Sequence, residues 1–190
     1  RLRRIKQMGM SDFVYPGATH TRFQHAIGAT YLLQETLDSL EQKGIEITYE
    51  EKIATSIAIL CHDIGHGPFS HALERKIVNI SHEEITKLYL QHIAKKYGNI
   101  IELTIKIFNG DYEKKFLHQL ISSQLDVDRL DYLSRDSFYS GVAEGVIGYD
   151  RIIKMMNVYN NEIVVEEKGI FSIEKFLTSR YLMYMQVYLH

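Results

Sequence analysis

The chain has 190 residues, of which 45% are hydrophobic and 24% charged, a balance that fits one soluble domain with a sizeable core. Its 22 Lys and Arg residues against 24 Asp and Glu residues give a net charge of -2, which provides no overall basic field for binding nucleic acid. The sequence contains no apolar run of about 18 residues that could span a membrane. A single cysteine, Cys61, excludes an internal disulfide and favours a reducing, cytoplasmic location.

Three helix starts are marked by a Ser or Thr that is followed three residues later by Gln or Glu, the capping-box pattern. These pairs are Thr21 with Gln24, Thr48 with Glu51, and Ser81 with Glu84. Apolar residues at helical spacing follow each start and predict three apolar faces: Phe23, Ile27, Leu33, Leu37 and Leu40; Ile53, Ile57 and Leu60; Ile85, Leu88 and Ile93. Gly44 and Gly98 predict the ends of the first and third of these helices.

The second half of the chain adds an acidic helix over residues 126–140 and an alternating segment that predicts a hairpin turning at Asn160 and Asn161. A last helix is predicted from about Ser172. We therefore expect a mainly α fold, a helical bundle with a small β-hairpin near residues 152–166. The start without Met and the apolar pattern at the end predict that residues 1–190 form a single domain within a longer chain.

His62 and Asp63 are adjacent where glycines break the second predicted helix, so both side chains can turn toward one ion. A His-Asp pair is common and by itself gives weak support for a metal site. His25 and Asp128 lie in two other predicted helices and complete a set of two imidazoles and two carboxylates. Such a set suits Mn, Fe, Zn, Co or Ni and matches Mg less well, and spacing alone does not select the metal.

Three segments carry a resemblance to a known family: HTRFQHAIG, CHDIGHGPFSH and DVDRLDYLSRD, in this order. They resemble the HD-domain phosphohydrolases, and most of all the branch of deoxynucleoside triphosphate triphosphohydrolases, along nearly the whole chain. The resemblance implies a divalent metal held by His25, His62, Asp63 and Asp128. It also implies that His66 is a general acid acting on the leaving 5′ oxygen, with Glu74 and His82 as the acidic and histidine partners that orient it.

Substrate contacts follow from the same resemblance. Arg22 and Arg180 match phosphate-binding arginines, although surface salt bridges are the commoner fate of an arginine. Gln7 and Asp136 match residues that bind the sugar 3′-hydroxyl. Tyr188 matches an aromatic residue that packs under C2′ and leaves no space for a 2′-hydroxyl. The alternative for Tyr188 is a place in the core of the last helix.

The acidic helix offers a geometric check on these roles. Asp128, Tyr132 and Asp136 are spaced i, i+4 and i+8, so they lie on one stripe that spans about 12 Å. This length is close to the distance from an α-phosphate to the far edge of its sugar, which fits substrate binding along the stripe. Asp126 and Asp131 fit a solvated acidic face better.

The leading hypothesis is metal-dependent hydrolysis of a deoxynucleoside triphosphate, which releases deoxynucleoside and inorganic triphosphate. One alternative keeps the metal and changes the substrate to a nucleoside monophosphate or a cyclic nucleotide. Another is a non-catalytic nucleotide sensor or nucleic-acid module, suggested by the basic cluster of Arg1, Arg3, Arg4 and Lys6. The resemblance places Arg3 at a regulatory nucleotide site between subunits, which implies a homo-oligomer such as a dimer or tetramer.

Overall fold

The computed structural model describes residues 1–69, 76 and 79–189. Within them the fold is mainly helical with a small two-stranded antiparallel sheet, which confirms the predicted class. The helices are α1 (Arg22–Gln42), α2 (Tyr49–Cys61), α3 (His82–Tyr97), α4 (Asn99–Asn109), α5 (Lys115–Ile121), α6 (Val127–Ser140), α7 (Tyr149–Met155) and α8 (Ile170–Met183). The strands are β1 (Met156–Tyr159) and β2 (Glu162–Val165). In the described part of the chain, no helix combines the length and the apolar character that crossing a bilayer requires.

All three predicted capping boxes are formed. The Thr21 hydroxyl accepts a hydrogen bond from the backbone N–H of Gln24, and the Gln24 side chain accepts one from the backbone N–H of Thr21. The same exchange starts α2 and α3. Because these bonds satisfy free N–H groups at the helix start, they fix where α1 begins, and Arg22 and His25 then lie on its buried side.

The predicted apolar faces are wrong at three positions. Ile27, Leu60 and Leu88 are 48%, 37% and 58% exposed. The residues that α2 buries are instead Glu51, Ala54, Thr55, Ala58 and Ile59. Small side chains allow a helix to pack closely against its neighbours, so the contact surface of α2 does not coincide with its largest apolar residues.

The hairpin is present but shorter than predicted. β1 and β2 pair antiparallel from Met156 opposite Val165 to Tyr159 opposite Glu162. Asn160 and Asn161 form the turn with φ values of 48° and 67°, which asparagine tolerates better than most residues and which suits the twist of a two-residue hairpin loop. Residues 152–155, predicted within the hairpin, belong to α7 instead, where Ile152 and Ile153 are buried in the core.

The turn after α2 packs directly against the start of α3. A Cβ atom on Gly65 would lie 1.8 Å from the carbonyl oxygen of His82, so only glycine allows this approach. The Gly65 N–H donates to the Thr86 hydroxyl at 3.0 Å, and that hydroxyl donates to the carbonyl of His62 at 2.9 Å. These contacts bring His66 and His82, which are 16 positions apart in sequence, to the same place.

Candidate active site

Four side chains from α1, the end of α2 and α6 converge on one point. The Nε2 atoms of His25 and His62 lie 3.2 Å apart, and Asp128 Oδ1 lies 2.9 Å and 3.5 Å from them, respectively. The two oxygens of Asp63 lie 3.5 Å from His62 Nε2 and 3.8 Å from His25 Nε2. Ligands bound to a first-row metal at about 2.1 Å are separated by roughly 3 to 3.5 Å. The ligand atoms of His25, His62 and Asp63 all lie within 4.8 Å of one another, so these three fit one divalent metal, and Asp128 lies beside both imidazoles as a fourth candidate ligand.

Both imidazoles are oriented by hydrogen bonds at their other ring nitrogen. His25 Nδ1 lies 2.7 Å from Asp131 Oδ2, and His62 Nδ1 lies 2.5 Å from the carbonyl of Ile59. Each Nδ1 then carries a hydrogen, since its partner only accepts, which leaves each Nε2 as the nitrogen that can bind a metal once the metal displaces its proton. Asp131 was not among the predicted site residues.

Asp131 and Asp126 do not form a solvated face, so that prediction was wrong. Their exposed fractions are 5% and 1%. Asp131 also accepts two hydrogen bonds from Arg135, at 2.8 Å and 2.7 Å. A Cβ atom on Gly28 would lie 2.0 Å from Asp131 and from Arg135, so glycine leaves the space for this ion pair against α1. Asp126 caps α6 by accepting from the N–H of Arg129 at 2.8 Å.

The carboxylates make the centre strongly attractive to positive charge. Burial lowers the pKa of His25, but hydrogen bonds to Asp128 and Asp131 raise it to about 10. Burial also lowers the pKa of His62, and the charge of Asp63 with the hydrogen bond to Asp128 raises it on balance. The same negative field that favours a proton here favours a divalent cation.

His66 and His82 form a second pair beside the four-residue centre. Their rings stack with centroids 3.8 Å apart and planes inclined by 17°, and His66 Nε2 lies 3.4 Å from Asp63 Oδ1. Burial lowers the pKa of His66 to about 4, even though the hydrogen bond to Asp63 opposes this, and the positive charge of Arg22 adds to the lowering. Glu74, predicted as the acidic partner of this pair, lies outside the described residues.

The centre opens into a cavity of about 900 Å³. A cavity of this size is large enough for a nucleotide. Ten of the predicted site residues line it together: Gln7, Arg22, His62, Asp63, His66, His82, Asp128, Tyr132, Asp136 and Tyr188. His25 does not line it and is fully buried. Arg129 also lines this cavity, and sequence reasoning missed it although it follows Asp128 directly.

Asp136 and Tyr188 meet at the end of the cavity away from Asp128 along α6. The Tyr188 hydroxyl donates to Asp136 Oδ2 at 2.8 Å, and Asp136 Oδ1 lies 2.6 Å from Nε2 of His20. The Tyr132 ring meets Tyr188 edge to face, with centroids 6.2 Å apart. Tyr188 is thus a wall of the cavity as well as a neighbour of the core.

The family description "HD domain" matches residues 22–136, and "HD associated region" matches residues 147–190. The chain belongs to the HD-domain phosphohydrolase superfamily. The metal-type residues and the adjacent His66 all lie within the HD domain match.

Similar proteins extend along the whole chain. The crystal structure of a phosphohydrolase from Bacteroides thetaiotaomicron is 57% identical with a TM-score of 0.97, and the match covers 100% of this chain and 47% of that one. "Uncharacterized protein YwfO" of Bacillus subtilis is 36% identical over 100% of this chain and 45% of its own length. "Deoxynucleoside triphosphate triphosphohydrolase SAMHD1 homolog" of Dictyostelium discoideum is 33% identical over 100% of this chain and 41% of its own. The chain thus spans less than half the length of each of these three proteins.

Three predicted arginines of the HD-domain protein differ in their surroundings. Arg22 is buried, and its Nη1 donates to Asp63 Oδ2 at 2.6 Å, so it lies at the metal-type centre. Arg180 is not among the residues that line the cavity; it donates to Gln124 at 3.2 Å and lies 5.8 Å from the ring centre of Tyr184. Arg3 is exposed outside the cavity, 4.2 Å from the ring centre of Phe23.

Asp131→Asn is expected to weaken metal binding by about 10- to 100-fold, the usual effect of removing a carboxylate behind a metal-bound histidine. The asparagine keeps the shape but loses the charge that Arg135 and His25 share. Gly28→Ala should give a loss of the same kind, because the added methyl group displaces Asp131. The measurement is competition with a chromophoric chelator for Zn or Mn, with the exposed Asp150→Asn as control. Unchanged affinity in both variants would limit Asp131 to a structural role.

Proposed function

We propose that this HD domain hydrolyses deoxynucleoside triphosphates to deoxynucleoside and inorganic triphosphate. The observation that carries the proposal is the arrangement of one cavity, with the four-residue centre and His66 at one end and Asp136 with Tyr188 at the other. A triphosphate requires positive charge and a proton donor, which the proposed metal centre and His66 would supply. A sugar requires a hydrogen-bond acceptor and an apolar surface, which Asp136 and the Tyr188 ring offer. The Dictyostelium relative, whose name is that of a deoxynucleoside triphosphate triphosphohydrolase, adds support.

The reaction requires that negative charge on the phosphate be stabilised and that the leaving 5′ oxygen gain a proton. We assign the metal to His25, His62, Asp63 and Asp128. When bound there, a divalent ion such as Mn, Fe, Zn, Co, Ni or Mg supplies Lewis-acid stabilisation of the phosphate. The Arg22 guanidinium, beside Asp63, adds a fixed positive charge. Arg180 is proposed as a second phosphate ligand, which requires it to exchange its hydrogen bond to Gln124 for the phosphate, because it does not line the cavity.

His66 is proposed as the general acid, with His82 and Glu74 as the groups that orient and tune it. The low pKa of His66 means that its imidazole is neutral at pH 7 in the ligand-free protein. A bound triphosphate brings negative charge next to the ring, which raises the pKa of an imidazole and favours the proton-donating form. The stack on His82 holds the ring plane in place for this transfer.

At the other end of the cavity, Gln7 and Asp136 are proposed to bind the sugar 3′-hydroxyl. Tyr188 is proposed to pack under C2′, and Tyr132 supports it from the side. A 2′-hydroxyl against this ring would be crowded and would lack a hydrogen-bond partner, at a cost of about 1 to 3 kcal/mol. The proposed substrate is therefore a deoxyribonucleotide.

Tyr188→Ala is expected to lower the preference for dATP over ATP, and for dGTP over GTP, by roughly 10- to 100-fold in kcat/KM. Tyr188→Phe is the matched control, because it keeps the ring and loses only the hydrogen bond to Asp136. Equal rates for ribo and deoxy substrates on the wild type would show that the site does not exclude a 2′-hydroxyl. Selectivity that survives in the alanine variant would show that a residue other than Tyr188 excludes it.

The deciding test of the function is the identity of the product. The protein is incubated with Mn and single nucleotides, and the products are separated by anion exchange. Inorganic triphosphate supports the proposal, whereas pyrophosphate or phosphate would contradict it. Release of phosphate from a nucleoside monophosphate, or opening of a cyclic nucleotide, would establish the alternative substrate. Nucleotide binding without turnover would indicate a sensor.

We also propose that the protein acts in the cytoplasm as a homo-oligomer, a dimer or tetramer, regulated by a nucleotide bound near Arg3. Exposed Arg3 beside Phe23, next to Arg22 in α1, is compatible with a contact that reaches the active site. Light scattering of the full-length protein with and without GTP and dNTPs should show assembly. A monomer under every condition would remove the regulatory part of the proposal.

A further inference from the structure

A buried histidine that precedes α1 in sequence contacts Asp136, one of the residues that line the cavity. His20 is 1% exposed, and its Nε2 lies 2.6 Å from Asp136 Oδ1. Its ring stacks on Tyr139, with centroids 4.5 Å apart and planes inclined by 18°. The ring is therefore fixed on its face by Tyr139 and at its edge by Asp136, two residues of α6 that are more than 100 positions away in sequence.

The backbone of the same residue holds Gln7. The N–H of Gln7 donates to the carbonyl of His20 at 2.9 Å, and an isolated antiparallel bridge between Lys6 and Thr21 flanks this bond. Both residues proposed for the 3′-hydroxyl are thus attached to His20, Gln7 through the backbone and Asp136 through the side chain. A shift of His20 would change the distance between them.

The hydrogen-bond pattern also defines what Asp136 can still do. As a carboxylate it only accepts, so His20 Nε2 and the Tyr188 hydroxyl are the donors, one to each oxygen. Each oxygen keeps a further lone pair, and Asp136 lines the cavity. The carboxylate, held at both oxygens, can therefore accept a hydrogen bond from a hydroxyl donor in the cavity, whereas a phosphate or carboxylate there would be repelled.

The ring of His20 is not symmetric in its surroundings. Its Nδ1 is buried and has no hydrogen-bond partner among the described residues. Among the described residues, the ring therefore makes a hydrogen bond through Nε2, to Asp136, and none through Nδ1. This asymmetry allows the two ring positions to be tested separately by substitution.

We propose that His20 is the positioning residue of the sugar-hydroxyl subsite: it fixes the Asp136 carboxylate and the Gln7 backbone so that both face one hydroxyl donor of the substrate. The inference rests on the proposed function and deepens it. His20 touches no reacting atom, and its effect reaches the substrate only through Asp136 and Gln7. The subsite consequently requires a free 3′-hydroxyl, and the contribution of His20 depends on that group.

The test compares two amide variants on two substrates. His20→Asn places its amide near the position of Nδ1, away from Asp136, whereas His20→Gln places its amide nitrogen near Nε2 and can still donate. We expect His20→Asn to lower kcat/KM for a deoxynucleoside triphosphate by about 10- to 100-fold, the loss typical of a hydrogen bond to a charged group, and His20→Gln to restore most of it. For the 2′,3′-dideoxy analogue, kcat/KM of each variant should remain within about threefold of the wild-type value, since this analogue lacks the 3′-hydroxyl through which His20 acts.

The dideoxy substrate makes the result independent of folding, because a loss of folded protein lowers both rates equally. If the dideoxy analogue turns over too slowly to follow, its inhibition constant against the deoxy substrate shows whether each variant still binds a nucleotide that lacks the 3′-hydroxyl as the wild type does. Equal losses on both substrates, or no rescue by glutamine, would overturn the role of His20. Failure of the proposed function is distinct: the wild type would then release no inorganic triphosphate from any deoxynucleotide.

Discussion

Replacing Asp128 with alanine is expected to deplete the metal and to lower hydrolysis by roughly 10³-fold or more. Asp128 Oδ1 lies within 3.5 Å of the Nε2 atoms of both His25 and His62, so its loss removes a proposed ligand and a negative charge beside both rings. The Asp128 side chain is 29% exposed, and therefore its truncation leaves the core packing nearly intact. The wild type should hold a single divalent ion per chain.

Metal analysis after dialysis, with thermal unfolding on the same samples, checks this expectation. Asp111→Ala, at an exposed acid, is the matched control and should keep full occupancy. For Asp63 the asparagine variant is preferable to alanine, because Arg22 is buried against it and an unpaired buried guanidinium costs about 3 to 5 kcal/mol of unfolding free energy. Full metal occupancy in both Asp128→Ala and Asp63→Asn would exclude the assigned centre.

The main elements of the fold could be predicted because their signals are local. Capping boxes act within four residues, and they placed the starts of α1, α2 and α3 correctly. The hairpin turn was also correct, since two asparagines in succession suit positive φ. The exposed positions Ile27 and Leu88 could not be foreseen, because apolar character does not specify which side of a helix its neighbours cover.

In the candidate site, too, only the residues with a local signal could be predicted. His62 and Asp63 are adjacent at a helix end and were identified from sequence, whereas Asp131 lies among several acidic residues and was predicted to be solvated. One signal was present: Gly28 follows His25 by three residues as Asp131 follows Asp128, and α1 and α6 pack together. Gly28 and Asp131 each lie about one helical turn after a proposed metal ligand, and the absence of a side chain at Gly28 leaves the space that Asp131 occupies.

His20 shows the limit of such reasoning. It opens the segment HTRFQHAIG, yet nothing near it in sequence suggests a partner, because Asp136 and Tyr139 are brought to it by the packing of α6. Hydrogen bonds between residues this far apart depend on tertiary structure alone. The same holds for the stack of His66 on His82, which requires the close approach at Gly65.

His66→Ala is expected to retain metal and nucleotide yet lose turnover by roughly 10² to 10⁴, the usual contribution of a positioned proton donor. His66 is not one of the four metal-type ligands, but its Nε2 lies 3.4 Å from Asp63, so it can act on a group bound beside the centre without holding the ion. The measurement pairs single-turnover rates with metal content and nucleotide affinity. His92→Ala, at an exposed histidine of α3, is the matched control and should behave as wild type.

Because alanine removes the ring that His82 stacks on, His66→Gln is made alongside His66→Ala to preserve volume, and it should lose activity to a similar degree. A normal rate in either His66 variant would transfer the proton-donor role to another group, with His82 the next to test.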